Sequence, residues 1–253
     1  MSIIKDRNIV VTGGSRGLGL GLVEALATQG ARVTVVARDA GALEAVRARL
    51  GVATVAADVT DEAAAHRILA AVRPDILVLN AGTPPRMGRL DQLSWADFSA
   101  AWETDVKAGL YWLQAALRLP LAPGARVLVG SSGAARNGSP LSGGYAGAKR
   151  MLWFMAKYAN GISEQQKLGI RFQAIVPMQM IGGTGVGDAG AAAYARAIGV
   201  APGEFLARFG TPMPPRAFGD KVVSMLEDPA YAKAFAFGFG GDSGITVLEE
   251  AAA

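Results

Sequence analysis

Ile9-Val10-Val11-Thr12-Gly13-Gly14-Ser15-Arg16-Gly17-Leu18-Gly19 joins a β-branched apolar run to a helix-forming stretch at 20–27. The order is strand, glycine turn, helix. Glycines let the backbone turn tightly and let a pyrophosphate come close, while the first free amides of the helix point at its charge. The spacing of Gly13, Gly17 and Gly19 is G-x-x-x-G-x-G, which differs from the G-x-G-x-x-G dinucleotide fingerprint. On this stretch alone a cofactor turn and a plain strand-to-helix turn are both adequate readings.

The same rhythm continues outward. A β-branched run at 31–37 reads as a buried second strand ending at Ala37-Arg38-Asp39. In a dinucleotide fold this place, about twenty residues past the turn, meets the adenosine ribose: an acid serves a 2′-hydroxyl, an arginine a 2′-phosphate. Arg38 with Arg16 would supply forked donors for a phosphate dianion, which favours NADP over NAD. Asp39 could serve the ribose, or cap the helix that follows. A third strand at 53–57 leads to Asp58-Val59-Thr60, where Asp58 either accepts from an adenine amino group or caps the next helix. A fourth strand at 75–79 runs into Asn80-Ala81-Gly82, whose small residues suit a ribose lying on the backbone or an ordinary turn.

Residues 94–119 read as one long helix with an aromatic face including Trp95, Trp102 and Trp112, suited to core or subunit interface. A fifth strand at 126–130 ends at Ser131-Ser132, a helix starts near Tyr145, and a sixth strand at 170–176 stops at Pro177. This alternation predicts an α/β, doubly wound Rossmann fold: a mostly parallel sheet with helices on both faces and a ligand at the strands' carboxyl ends. Residues 178–213 break the pattern with five glycines (Gly182, Gly183, Gly185, Gly187, Gly190) and short helices near 191–198 and 202–209. A flexible lid over the site is the expectation there, with apolar residues such as Met178, Met180, Tyr194, Phe205, Phe209 and Met213 lining or anchoring it. A helix at 220–227 and a strand at 244–248 complete the chain, read as a single domain over 1–253.

The 253 residues are 51% hydrophobic, enough for a sizeable core. The formal charge of +4 is scattered without a basic run, so no nucleic-acid partner is expected. Cysteine is absent, which excludes thiolate catalysis, disulfides and cysteine metal sites and fits a reducing cytoplasm. His66, the sole histidine, sits among charged residues and reads as a solvated helix position, so no metal site is expected. The chain start becomes charged after Ile3 and Ile4, and no apolar run reaches spanning length, so neither a signal peptide nor a membrane partner is expected.

Tyr145 and Lys149 stand four apart on one helix, hence on one face. A free phenol with a pKa near ~10 is a poor acid-base group at neutral pH, and an adjacent ammonium should draw it toward the working range. Upstream, Ser132 ends a strand where its hydroxyl could bond a substrate oxygen beside that phenol. An exposed Tyr/Lys pair is a common chance occurrence, but one placed after the fifth strand, behind a strand-end serine and downstream of the glycine turn, is not.

These residues together, Thr12-Gly13-x-x-x-Gly17-x-Gly19, Asp58-Val59, Asn80-Ala81-Gly82, Ser132, Tyr145-x-x-x-Lys149 and Pro177, resemble the classical short-chain dehydrogenase/reductase family from Ile9 to about Leu226. The resemblance implies a seven-stranded parallel Rossmann sheet, a nicotinamide cofactor and often a homotetramer built through the helices after the fourth and fifth strands. It implies Tyr145 as proton donor and acceptor, Ser132 orienting the carbonyl oxygen, and Lys149 holding the nicotinamide ribose. Gly13, Ser15, Arg16, Gly17, Leu18, Gly19, Arg38, Asp58, Val59, Asn80, Ala81, Gly82, Tyr145, Lys149 and Pro177 form the implied cofactor set. Arg16 and Arg38 fall where NADP-preferring members carry basic residues, and Ala37 where NAD-preferring members carry aspartate.

Three departures stand out. The family's active-site asparagine aligns with Asp105, whose carboxylate can accept from Lys149 but would partly offset the positive field on Tyr145. Pro177-Met178 replaces the usual Pro-Gly, with Gln173 in place of a nearby asparagine, leaving Thr184 as the counterpart of a nicotinamide-contacting threonine. The ending after Gly238 also differs. The expected activity is hydride transfer between NADP(H) and a small to medium, apolar carbonyl or alcohol compound. The alternative is a catalytically silent cofactor-binding protein of the same fold.

Overall fold

The first strand, β1 (Asn8–Thr12), sits where the sheet changes direction, with Ile9, Val10 and Val11 fully buried. β-branched side chains suit a strand covered on both faces, and this one is flanked by helical layers above and below. The computed structural model describes residues 3–248. The outermost residues, included in the single-domain reading, lie outside the described residues.

After β1 come α1 (Gly17–Thr28), β2 (Arg32–Ala37), α2 (Ala40–Leu50), β3 (Ala53–Ala56), α3 (Glu62–Val72) and β4 (Ile76–Leu79). Next are α4 (Trp95–Ala101), a π-helical turn (Trp102–Val106), α5 (Lys107–Arg118), β5 (Arg126–Gly130), α6 (Ala134–Asn137), α7 (Tyr145–Gln165) and β6 (Arg171–Pro177). The chain closes with α8 (Gly185–Ala197), α9 (Pro202–Ala207), α10 (Pro215–Glu227), β7 (Ala236–Gly240) and β8 (Gly244–Val247). The strand order is β3-β2-β1-β4-β5-β6-β7-β8, parallel throughout except for β8, which runs antiparallel to β7. The chain therefore reverses between β1 and β4, and that switch point opens a crevice at their carboxyl ends.

Two apolar layers clasp the sheet. On one face Leu22, Leu26, Leu43, Phe218 and Val222 cover Ile9, Val11, Val33 and Val35. On the other, Ile68, Leu69, Trp112, Leu113 and Leu152 cover Val10, Val36, Leu77 and Val127. α1 and α10 approach backbone to backbone: a Cβ on Gly21 would lie 2.1 Å from the Pro215 carbonyl oxygen.

The structure departs from the sequence reading in four places. The stretch 94–119 is helical but contains the π turn, with the Thr104 hydroxyl donating to the Ala100 carbonyl at 2.9 Å. β7 was not anticipated, because its sequence alternates glycine with other residues and carries no β-branched side chain; Gly238 leaves the room that Thr246 and Met178 occupy. With β7 the sheet has seven parallel strands, and the strand read at 244–248 becomes the antiparallel edge. The glycines after 182 are not a loose loop: Thr184 caps α8 by accepting from Gly187 N–H at 3.0 Å, so the helix begins at Gly185 rather than near 191. α10 likewise starts earlier, at Pro215, a residue suited to a first helical turn.

Candidate active site

The carboxyl ends of β1, β2, β4, β5 and β6 open onto one cleft of about 810 Å³. Buried beneath it, Thr12 ties the two strands of the switch point together. Its hydroxyl oxygen accepts from Asn80 N–H and Ala81 N–H, each at 3.1 Å, and donates to the Val78 carbonyl at 3.3 Å. The Asn80 amide donates to the Gly13 carbonyl at 3.3 Å. Gly13 has φ +69°, and a Cβ there would stand 2.7 Å from the Ala81 backbone, so only glycine fits.

Immediately beyond, α1 begins without a side-chain cap and without an acidic residue in its first turn. Its leading amides are thus left to the cleft, which is what an anion needs. Gly13, Ser15, Arg16, Gly17 and Leu18 line the cleft here. Gly19 does not: it is buried beneath, where a Cβ would meet the Gly13 carbonyl oxygen at 2.3 Å, so its role is close packing under the turn. A pyrophosphate of a dinucleotide fits this cradle of glycines and uncapped amides.

At the far edge, Arg16 and Arg38 both line the cleft, exposed and without an ion-pair partner among the described residues. Asp39 caps α2 by accepting from Ala42 N–H at 3.0 Å, which settles its structural role. The cap of α3 is Asp61, not Asp58. Asp58 instead accepts from the backbone and hydroxyl of Thr60 through one oxygen, at 2.9 and 2.8 Å. Those bonds, aided by Arg38 and Lys107, hold its carboxyl below the usual range. Asp58 and Val59 line the cleft, as do Asn80, Ala81, Gly82 and Pro177.

A second group lining the cleft is formed by Ser132 after β5, Tyr145 and Lys149 on the first turns of α7, and Asp105 on the π turn. Tyr145, Lys149 and Asp105 are all buried, and Ser132 lines the cleft close enough to the Tyr145 hydroxyl to favour its ionised form. The Lys149 ammonium lies 5.5 Å from the Tyr145 ring centre and 2.9 Å from Asp105 Oδ2, its ion-pair partner. The other Asp105 oxygen accepts from Thr83 N–H at 2.8 Å and lies 2.9 Å from the Thr104 hydroxyl, whose one hydrogen it shares with the Ala100 carbonyl. Gly82 keeps this arrangement possible, since a Cβ there would come within 2.7 Å of Oδ2. Ser131 Oγ donates to the Lys149 carbonyl at 2.8 Å, pinning the first turns of α7 to the end of β5.

Lys149 acts on the Tyr145 phenol in the expected direction, and burial acts against it more strongly. Burial pushes the Tyr145 phenol up most strongly, Lys149 pulls it down, Asp105 pushes it up again, and Ser132 lowers it; the net direction is above the ordinary value. The ammonium therefore does not by itself bring the phenol toward neutrality. Burial draws Lys149 down, but Asp105 and Tyr145 outweigh it, and the ammonium is held above its usual range.

Met178, Met180, Ile181, Thr184, Val186, Tyr194, Phe205 and Phe209 all line the cleft. Met213 does not, being part of the core under α10. Arg136 is exposed on α6 and away from the cleft lining. Thr83, Thr104, Ser131 and Ser139 were not anticipated from sequence: they act through a backbone amide or through bonds to other protein groups, and no spacing announces them.

The short chain dehydrogenase family model matches residues 7–187. The chain is 36% identical to the short chain dehydrogenase/reductase AacuD of Aspergillus aculeatus over 56% of its own length and 54%, about half, of that relative. It is 31% identical to the NADPH-dependent pterin aldehyde reductase of Arabidopsis thaliana, covering 70% of this chain and 76% of that one. A solved 3-ketoacyl-(acyl-carrier-protein) reductase from Brucella melitensis, complexed with NADH, has the same fold: TM-score 0.75, 20% identity, 94% of this chain and 98% of that one. On the family match and the second of these relatives, the chain belongs to the short chain dehydrogenase family.

Proposed function

We propose that this chain is an NADP(H)-dependent oxidoreductase that acts as a reductase on uncharged carbonyl compounds of small to medium size. The observation that carries the reading is the continuity of one cleft from the uncapped start of α1 to the buried group of Ser132, Tyr145 and Lys149. When bound, the nicotinamide cofactor supplies the hydride. Gly13, Ser15, Gly17 and Leu18 would hold its pyrophosphate, Asn80, Ala81 and Gly82 its ribose, and Asp58 and Val59 its adenine. Arg16 and Arg38, unpaired at the mouth, support NADP over NAD. The name of the pterin aldehyde reductase agrees with that choice, while the NADH in the Brucella structure does not decide it.

Ser132 orients a substrate carbonyl oxygen toward the phenol, and Tyr145 gives it a proton as negative charge grows there. The phenol, held above its ordinary range, is protonated at neutral pH, the form that gives a proton to a substrate oxygen. Lys149 keeps positive charge beside that oxygen, and Asp105 holds the ammonium in place. Leu90 and Trp95, about three-quarters exposed at the start of the α4 region, support assembly into a homo-oligomer. No helix of the described residues is long and apolar enough to cross a membrane. The cysteine-free composition supports a reducing, cytoplasmic setting.

The test is oxidation of NADPH and NADH, followed by absorbance, against a panel of aldehydes, ketones and diketones, with Tyr145→Phe as control. Tight NADPH binding with no turnover on any compound would instead favour the catalytically silent reading, for which Asp105 is the motivating departure.

A further inference from the structure

Tyr194 on α8, Phe205 on α9 and Phe209 just beyond it form a continuous row of rings. Tyr194 and Phe205 stack with centroids 5.7 Å apart and planes 8° apart, and Phe209 meets Phe205 edge-on at 5.7 Å and 76°. All three line the same cleft as Ser132 and Tyr145, and Phe209 remains 37% exposed. The Tyr194 hydroxyl is already satisfied: it shares a hydrogen bond with Ser139 Oγ at 2.8 Å and accepts from Leu141 N–H at 3.2 Å. Those bonds span from α8 to the loop before α7 and set the ring's orientation, so what the row offers a ligand is aromatic surface.

The surroundings narrow the ligand further. Segments 137–142 and 178–209 contribute no charged side chain to the cleft lining; their polar groups include Asn137, Ser139 and Gln179. A carboxylate or phosphate on the substrate would find no arginine or lysine from these segments to pair with. An aliphatic pocket recognises apolar area alone, whereas fixed rings add the offset and edge-on geometries that a further ring satisfies.

We propose that the cleft selects uncharged carbonyl compounds bearing an aromatic ring, with Tyr194, Phe205 and Phe209 as the residues that determine this preference. The proposal rests on the reductase reading above and names the substrate class of that same site. If the rings served only to hold α9 against α8, loss of one would affect every substrate alike.

The test compares 3-phenylpropanal with 3-cyclohexylpropanal at saturating NADPH, since both hold the carbonyl at the same distance from a six-membered ring that is planar and aromatic in one and saturated in the other. The wild-type chain should favour the phenyl compound by about tenfold in kcat/KM. In Phe209→Leu that ratio should fall to within about twofold of unity, through KM, and in Phe209→Trp it should persist. Each ratio is internal to one protein, so a loss of overall activity does not obscure it. A wild-type ratio below about threefold, or an equal loss of both substrates in Phe209→Leu, would overturn the proposal. Reduction of a short aliphatic aldehyde with neither test compound turned over would overturn it and leave the reductase reading standing. No reduction of any aldehyde, ketone or diketone despite NADPH binding would overturn both.

Discussion

Asp105→Asn alters little in shape and much in electrostatics. In the structure both oxygens of Asp105 face donors: Thr83 N–H and the Thr104 hydroxyl on one, the Lys149 ammonium on the other. An amide has a single acceptor oxygen, so whichever way it is turned its NH2 confronts a donor. The carboxylate also opposes ionisation of the Tyr145 phenol. A like charge in a buried site raises the cost of placing a second negative charge on the phenol, so its removal acts in one direction only. Removing the negative charge favours phenolate, and the reduction needs phenol. The high-pH limb of kcat/KM for carbonyl reduction should therefore move to lower pH. Lys149 loses its partner in the same step, so the variant should also lose about 3 kcal/mol of stability, roughly 6–12 °C in Tm for a chain of this size. The assay is a pH series of initial NADPH oxidation rates beside thermal unfolding of the same protein. A limb that stays in place or moves to higher pH would refute the electrostatic reasoning.

Tyr145→Phe should lower kcat for reduction by about two to four orders of magnitude, with a much smaller change in NADPH affinity by fluorescence titration; near-normal turnover would remove the phenol from the chemistry. Arg16→Ala combined with Arg38→Ala should raise KM for NADPH by about 150-fold or more and leave that for NADH almost unchanged, because each of the two lost charge-assisted contacts is worth about 1.5–3 kcal/mol. A parallel change for both cofactors in steady-state kinetics would contradict the proposed phosphate contact. Gly21→Ala should force α1 and α10 apart, since its Cβ would meet the Pro215 carbonyl at 2.1 Å, and should cost about 1–3 kcal/mol in urea unfolding. An unchanged midpoint would show that the two helices can separate freely.

The residues that were legible in the sequence are those whose chemistry is local. Thr12 to Gly19 declares a strand, a turn and a helix within one short stretch, and the β-branched runs around it leave little choice but a buried parallel sheet. Tyr145 and Lys149 are legible because helical spacing alone puts them on one face. β7 was illegible because the room for its neighbours is made by glycines, and glycine reads as a loop until Met178 and Thr246 are seen filling the space. The early start of α8 was hidden for a related reason: a single hydrogen bond from Gly187 to Thr184 converts apparent flexibility into a helix. The support of Asp105 by Thr83 depends on a backbone amide, which any residue there would provide.

The π turn at Trp102–Val106 has a consequence for how this chain can change. An extra residue in one turn offsets everything downstream by about 100° relative to a regular α-helix. It falls between an exposed Trp95 on α4 and a fully enclosed Trp112 on α5, residues that lie on one continuous helical stretch. Deleting one residue would restore regular hydrogen bonding locally and give a better isolated helix. It would also force a choice: Trp112 keeps its place under the sheet, or Asp105 keeps its place beside Lys149, but not both. The local irregularity is thus the joint between a packing surface and a reacting one, and repair of the helix would be a loss-of-function mutation.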